Sequence, residues 1–166
     1  MKTALFTFLL AMSALGQTSN RNLKIELRSQ SQQVHLLDTL VLSVIFRSPE
    51  GDITLWNAMG WGSAAGLSLM IEDQAGHKIN TDLISLYNPL PPDPTGRASL
   101  LSVHGHIFAG FESQIPVKML FSRPGKYRLK CSYLVPLPRG YFKETTIWGR
   151  EDGRIQSAEI SITVEK

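Results

Sequence analysis

An antiparallel β-sandwich is the fold class this sequence predicts, and three observations predict it. Apolar residues recur at every second position in many short stretches. Turn-forming residues separate those stretches. Beyond the first sixteen residues, no long segment keeps the 3.6-residue period of an amphipathic helix. The 166 residues are 43% hydrophobic and 19% charged, with 13 Gly, 9 Pro and 1 Cys. That balance excludes long disorder, collagen and a disulfide-stapled miniprotein, and it suffices for one substantial core. The formal net charge of +3 is small and dispersed, so no nucleic-acid partner is expected.

The chain opens with Met1-Lys2 and then runs uncharged from Thr3 to Leu15. Ala14-Leu15-Gly16 places small residues where a signal peptidase reads, and polar Gln17-Thr18-Ser19-Asn20 follows. The apolar run is shorter than the roughly 20 residues a membrane span needs. Residues 1–16 are therefore expected to be a cleaved signal peptide, and residues 17–166 a single secreted or periplasmic domain without a membrane span. An oxidising compartment permits disulfides, but Cys131 has no second cysteine in the chain to pair with.

The expected strands follow in order. Leu23, Ile25 and Leu27 alternate with charged residues. Leu40, Leu42, Val44 and Phe46 form one strongly apolar face. Ile53–Trp56 is a short strand. Leu67, Leu69 and Ile71 alternate with Ser68, Met70 and Glu72; the turn Asp73-Gln74-Ala75-Gly76 then returns the chain through Lys78–Thr81 as a hairpin. Val103–Val117 holds one or two strands. Tyr127, Leu129, Cys131, Tyr133 and Val135 alternate, as do Ala158, Ile160, Ile162 and Val164. The total is about eight strands. The prolines at 89, 91, 92 and 94 exclude a central strand over Tyr87–Gly96, which reads as an extended crossing between two sheets. Pro136–Gly153 is too long for a tight turn and reads as a loop.

Pro124-Gly125-Lys126-Tyr127-Arg128-Leu129 resembles the penultimate strand of immunoglobulin-like sandwiches. The resemblance implies a tyrosine corner, in which the Tyr127 hydroxyl bonds back to the backbone before the strand. Leu129 stands where antibody domains carry a disulfide cysteine, so no antibody-type reading follows. Val41–Ile45, Ile71–Ile79, Pro89–Pro94 and Pro124–Leu129 together are similar to secreted bacterial immunoglobulin-like domains of uncharacterised function, and a bacterial proteinase-inhibitor family shares the outline. Trp56 is a candidate for the core tryptophan of such a sandwich.

Candidate chemistry is sparse. His104 and His106, two apart, would share a face if they stood on a strand, but zinc needs three or four ligands and no further metal motif is present. Cys131 reads as a buried small hydrophobe. Gly60–Gly66 fits neither a phosphate loop nor a nucleophile elbow, because a strand pattern follows it and the required glycines are missing. Glu72-Asp73 and Glu151-Asp152 read as solvated turn charges. No catalytic residue, metal ligand or cofactor is assigned.

One feature stands above background. The Pro136–Arg154 segment carries Arg139, Tyr141, Phe142, Lys143, Trp148 and Arg150, the aromatic and cationic types that dominate interface hot spots. Either these residues contact a partner, or the aromatics fold back over one end of the core. The expected function is an exported, non-catalytic binding or structural module that contacts a protein or envelope partner through this loop. The alternatives are a proteinase inhibitor using the stiff Leu90-Pro91-Pro92 crossing, or a small secreted metal-dependent hydrolase using His104 and His106.

Overall fold

The computed structural model describes residues 22–56, 58–62, 66–87 and 100–166. The expected leader and most of the proline-rich crossing lie outside the described residues. Strands β1 (Lys24–Ser29), β3 (Thr39–Arg47) and β8 (Phe108–Pro116) form one antiparallel sheet in the order β1-β3-β8. The facing sheet runs β2 (Gln33–His35), β11 (Ile160–Glu165), β9 (Gly125–Tyr133), β5 (Leu67–Asp73), β6 (Lys78–Ile79), and β10 (Ile155–Gln156) pairs with the far end of β9. A two-stranded ribbon, β4 (Ile53–Trp56) with β7 (Leu100–Val103), completes the sheets. The architecture is a mostly-β, immunoglobulin-like sandwich whose strand pairs are antiparallel except β2 with β11.

Alternation explains the strands directly. Leu40, Leu42, Val44 and Phe46 on β3 are fully buried, as are Leu129, Cys131 and Tyr133 on β9. Leu67, Leu69 and Ile71 point inward from β5. Each such side chain contributes about 1.5–3 kcal/mol by leaving water. Phe46 and Tyr133 meet edge to face between the sheets, with ring centroids 5.5 Å apart. The expected tyrosine corner is present: the Tyr127 hydroxyl donates to the Arg123 carbonyl at 2.8 Å. Leu129, two residues on, is buried in place of a cysteine.

Some elements are too short to show a period. Strand β2 runs parallel to β11, pairing Val34 with Val164, and both side chains are buried. Strand β10 has only two residues. Val103–Val117 holds the end of β7 and the whole of β8, joined through a turn at His104–Ile107. Two helical turns also form: α1 (Asp82–Tyr87) and α2 (Val117–Leu120). The Asn80 side chain accepts from the Asp82 N–H at 2.8 Å and so opens α1. Tyr87, expected to begin the extended crossing, ends this helix instead. Gly66, at φ +86°, precedes β5, and a Cβ there would sit 2.8 Å from the Leu134 carbonyl oxygen. Only glycine allows the close approach through which Leu134 N–H reaches the Gly66 carbonyl at 2.7 Å.

Candidate functional site

The 136–154 segment leaves the end of β9 and folds against the ribbon. Ile147 and Thr54 form an isolated parallel bridge, and the Trp148 N–H donates to the Thr54 carbonyl at 2.7 Å. Ile147 is fully buried and Trp148 only 4% exposed, with its indole N–H donating to the Gly153 carbonyl at 3.2 Å. The Ile147 N–H returns to the Arg139 carbonyl at 3.1 Å, and the Arg150 N–H to Leu137 at 2.7 Å. A 3-10 turn at Arg150–Asp152 closes the segment.

Several charged residues of this segment act as anchors. Arg139 grips Asp152 with both arms of its guanidinium, at 2.9 and 2.6 Å. The Asp152 side chain is 2% exposed and also accepts from the Gly149 N–H at 2.8 Å. Backbone N–H groups of Glu151 itself and of Arg139 hold the Glu151 carboxyl below the usual carboxylate range. The Glu151-Asp152 pair is therefore a loop clamp, where solvated turn charges were expected. Trp148 and Arg139 belong to the fabric of the loop.

Tyr141, Lys143 and Arg150 are exposed, Tyr141 to 44%. Phe142 is half-buried, packs against the core and meets Tyr141 edge to face at 5.2 Å. The six sequence-selected residues thus split by burial. One is inside, one is clamped, one bridges core and surface, and three face solvent.

The histidines are not gathered. β7 ends at Val103, so His104 and His106 stand in a turn where His106 takes a left-handed φ of +65°. They do not share a strand face, which corrects the arrangement the sequence suggested. His104 Nδ1 lies 3.0 Å from an Asp52 carboxylate oxygen, and the Gly105 N–H donates to the other oxygen at 2.9 Å. Those backbone and imidazole donors hold the Asp52 carboxyl below its usual range. His35 ends strand β2, with its Nδ1 2.9 Å from the Lys166 carbonyl oxygen, and His77 lies in the turn between β5 and β6. Among the described residues, no three His, Cys, Asp or Glu side chains converge as metal ligands. No helix there is long and apolar enough to cross a membrane.

Cys131 lies in the core, and burial pushes its thiol up to about 11. The Gly60–Gly66 stretch closes on the next strand, with Gly62 N–H donating to the Leu67 carbonyl at 2.7 Å and Trp61 buried beside Phe111. Residues 63–65 lie outside the described residues.

Sequence reasoning missed Asp73, which was expected to be solvated. It is buried, and its carboxylate accepts from the N–H groups of Ala75 and His77, both at 2.9 Å. Arg123 reaches it at 3.3 Å. The inward phase of β5 (Leu67, Leu69, Ile71, Asp73) was the available signal. The local partners Ala75 and His77 lie in the adjoining turn, but Arg123, 50 residues away, was not legible.

No protein-family model matches the chain, and no curated protein matches it significantly. Among solved structures, the chain is similar to a CARDB domain from Pyrococcus furiosus that is described in complex with di-metal ions. The identity is 10%, the TM-score 0.40, and the match covers 87% of this chain and 93% of that one.

Proposed function

We propose that this chain is an exported, non-catalytic binding module, with residues 17–166 as one immunoglobulin-like domain after removal of a 1–16 leader. It contacts a protein or envelope partner through the exposed Tyr141, Lys143 and Arg150 of the 136–154 loop, with Phe142 packed against Tyr141. One observation carries this reading: the loop is anchored at both ends yet leaves the Tyr141, Lys143 and Arg150 side chains exposed. The Arg139–Asp152 clamp and buried Trp148 fix the backbone, so Tyr141 is held in place with little ordering entropy left to lose on binding. Tyrosine and arginine supply contact area and directed donors at such sites.

The test is a pull-down from the host envelope fraction, comparing the mature chain with a Tyr141→Ala, Arg150→Ala double variant. A partner retained by the first and lost by the second, with melting temperature unchanged, supports the reading. An identical set of captured proteins sinks it. Mass spectrometry of the exported product tests the leader, which predicts an N-terminus near Gln17.

A further inference from the structure

The edges of the two larger sheets are treated differently. An edge strand presents unpaired N–H and C=O groups, a template for another strand, and folds that stay monomeric blunt it. At β2, Gln33 and His35 turn their main-chain groups away from β11. The Ser31 hydroxyl donates to the Gln33 carbonyl at 2.5 Å and accepts from its N–H at 3.2 Å. The His35 N–H donates to the Asp38 carboxylate at 2.7 Å, and its carbonyl accepts from the Asp38 N–H at 3.0 Å. At the opposite edge of that sheet, β6 has two residues, and beyond it the Thr81 hydroxyl donates to the Leu69 carbonyl of β5 at 2.8 Å. At β1, the Gln30 N–H bonds to the Val41 carbonyl, so in this register Ile25 and Leu27 face away from β3, and both are buried.

β8 is left open. It ends the order β1-β3-β8, runs nine residues, and pairs with β3 in unbroken register, without a bulge. The Val117 N–H donates to the Asp38 carbonyl at 2.9 Å, which sets the phase of this ladder. Ala109, Phe111, Ser113 and Ile115 bond to β3, while Phe108, Gly110, Glu112 and Gln114 turn their main-chain groups outward. Among the described residues, nothing bonds to those groups of Gly110, Glu112 or Gln114. Glu112 and Gln114 are exposed, and Ala109 and Phe111 are only half-buried along the same edge. The strand carries no lysine, and its one proline is its last residue.

We infer that β8 is a homodimer edge, at which a second copy of this chain adds its own β8 antiparallel across a two-fold axis at Phe111. The choice of a second copy rests on self-complementarity. Centred on Phe111, Gly110 faces Glu112 of the other copy and Phe108 faces Gln114, giving about eight main-chain hydrogen bonds and no like-charge pair. The two half-buried Phe111 residues then stand opposite each other. Centring on Glu112 would oppose two carboxylates, and centring on Ser113 would set Gly110 against Pro116, which has no N–H. Each copy uses the same patch, as a closed two-fold dimer requires. The 136–154 loop takes no part, so this inference can fail without affecting the function proposed above.

The experiment is sedimentation equilibrium of the mature chain between about 1 and 500 μM, with hydrogen exchange at both ends of that range. A monomer–dimer equilibrium is expected. The amides of Gly110, Glu112 and Gln114 should exchange freely in the dilute sample and become protected in the concentrated one, while Phe111 is protected in both. Gln114→Pro removes an outward N–H and none that bonds to β3, so it should raise the dissociation constant at least about tenfold while the chain stays folded. The exchange measurement on the parent chain decides the matter even if that variant does not fold. A monomer throughout overturns the inference and leaves the edge to a strand from another protein. A dimer in which those three amides stay unprotected overturns it as well.

Discussion

Tyr133 and Trp56 are joined by two hydrogen bonds in the core. The Tyr133 hydroxyl donates to the Trp56 carbonyl at 2.7 Å and accepts from the Trp56 N–H at 2.9 Å. One side chain on β9 thus satisfies both backbone groups of a residue 77 positions earlier, on β4. The pair ties the small ribbon to the large sheet. Burial raises the phenol's pKa far above its ordinary value.

Tyr133→Phe keeps the ring and leaves the Trp56 N–H and carbonyl buried without that partner. The expected loss is about 2–4 kcal/mol, the desolvation penalty of two orphaned groups. Urea unfolding checks it. A loss under about 0.5 kcal/mol would mean that water replaces the hydroxyl.

Trp148 and Tyr141 should behave oppositely, although they lie seven residues apart in one loop. Trp148→Ala empties a core position and should cost about 3–5 kcal/mol. Tyr141→Ala, at an exposed tip, should stay within about 0.5 kcal/mol of the parent. Paired thermal melts of the two variants decide this.

Arg139→Gln removes both arms from a buried Asp152 carboxylate. Solvent screens the partly exposed guanidinium, so a loss of about 1–2 kcal/mol is expected. Limited proteolysis should then cut between residues 139 and 153 while the strands stay intact. Unchanged protease resistance would show that Trp148 alone holds the loop.

Cys131 should resist modification in the folded protein. Its thiol is raised from an ordinary 9.0 to about 11 by burial. At pH 8 the thiolate fraction falls about hundredfold, before access is considered. A folded pKa above the unfolded value means this stabilisation is complete below about pH 9. It is lost as pH rises from there through about 11. Labelling with an aromatic disulfide at pH 8 should be slow in buffer and fast in denaturant.

Asp73 gives the acid counterpart. Its carboxyl is held below the ordinary range, chiefly by the His77 backbone N–H and by the His77 ring. A depressed folded pKa contributes stability above the ordinary carboxylate range that disappears as pH falls through the folded value. Asp73→Asn should therefore lower the melting temperature at pH 6 and flatten its decline between pH 5 and pH 2.

The periodicity of the sequence determined which residues face the core. Leu40, Leu42, Val44 and Phe46 had to share a side because a strand alternates by geometry, and Gly125-Lys126-Tyr127 carried its own local hydrogen bond. Those signals act within one element, or within four residues, so they are legible in a linear text. The positions of Trp148 and His104 were decided only by tertiary structure. A loop has no period, and its residues settle wherever distant groups offer a partner: the Thr54 carbonyl for the Trp148 main-chain N–H, the Asp52 carboxylate for His104. The parallel seat of β2 beside β11 is of the same kind. Three residues cannot announce a strand, and only the open edge of the sheet that receives them makes them one.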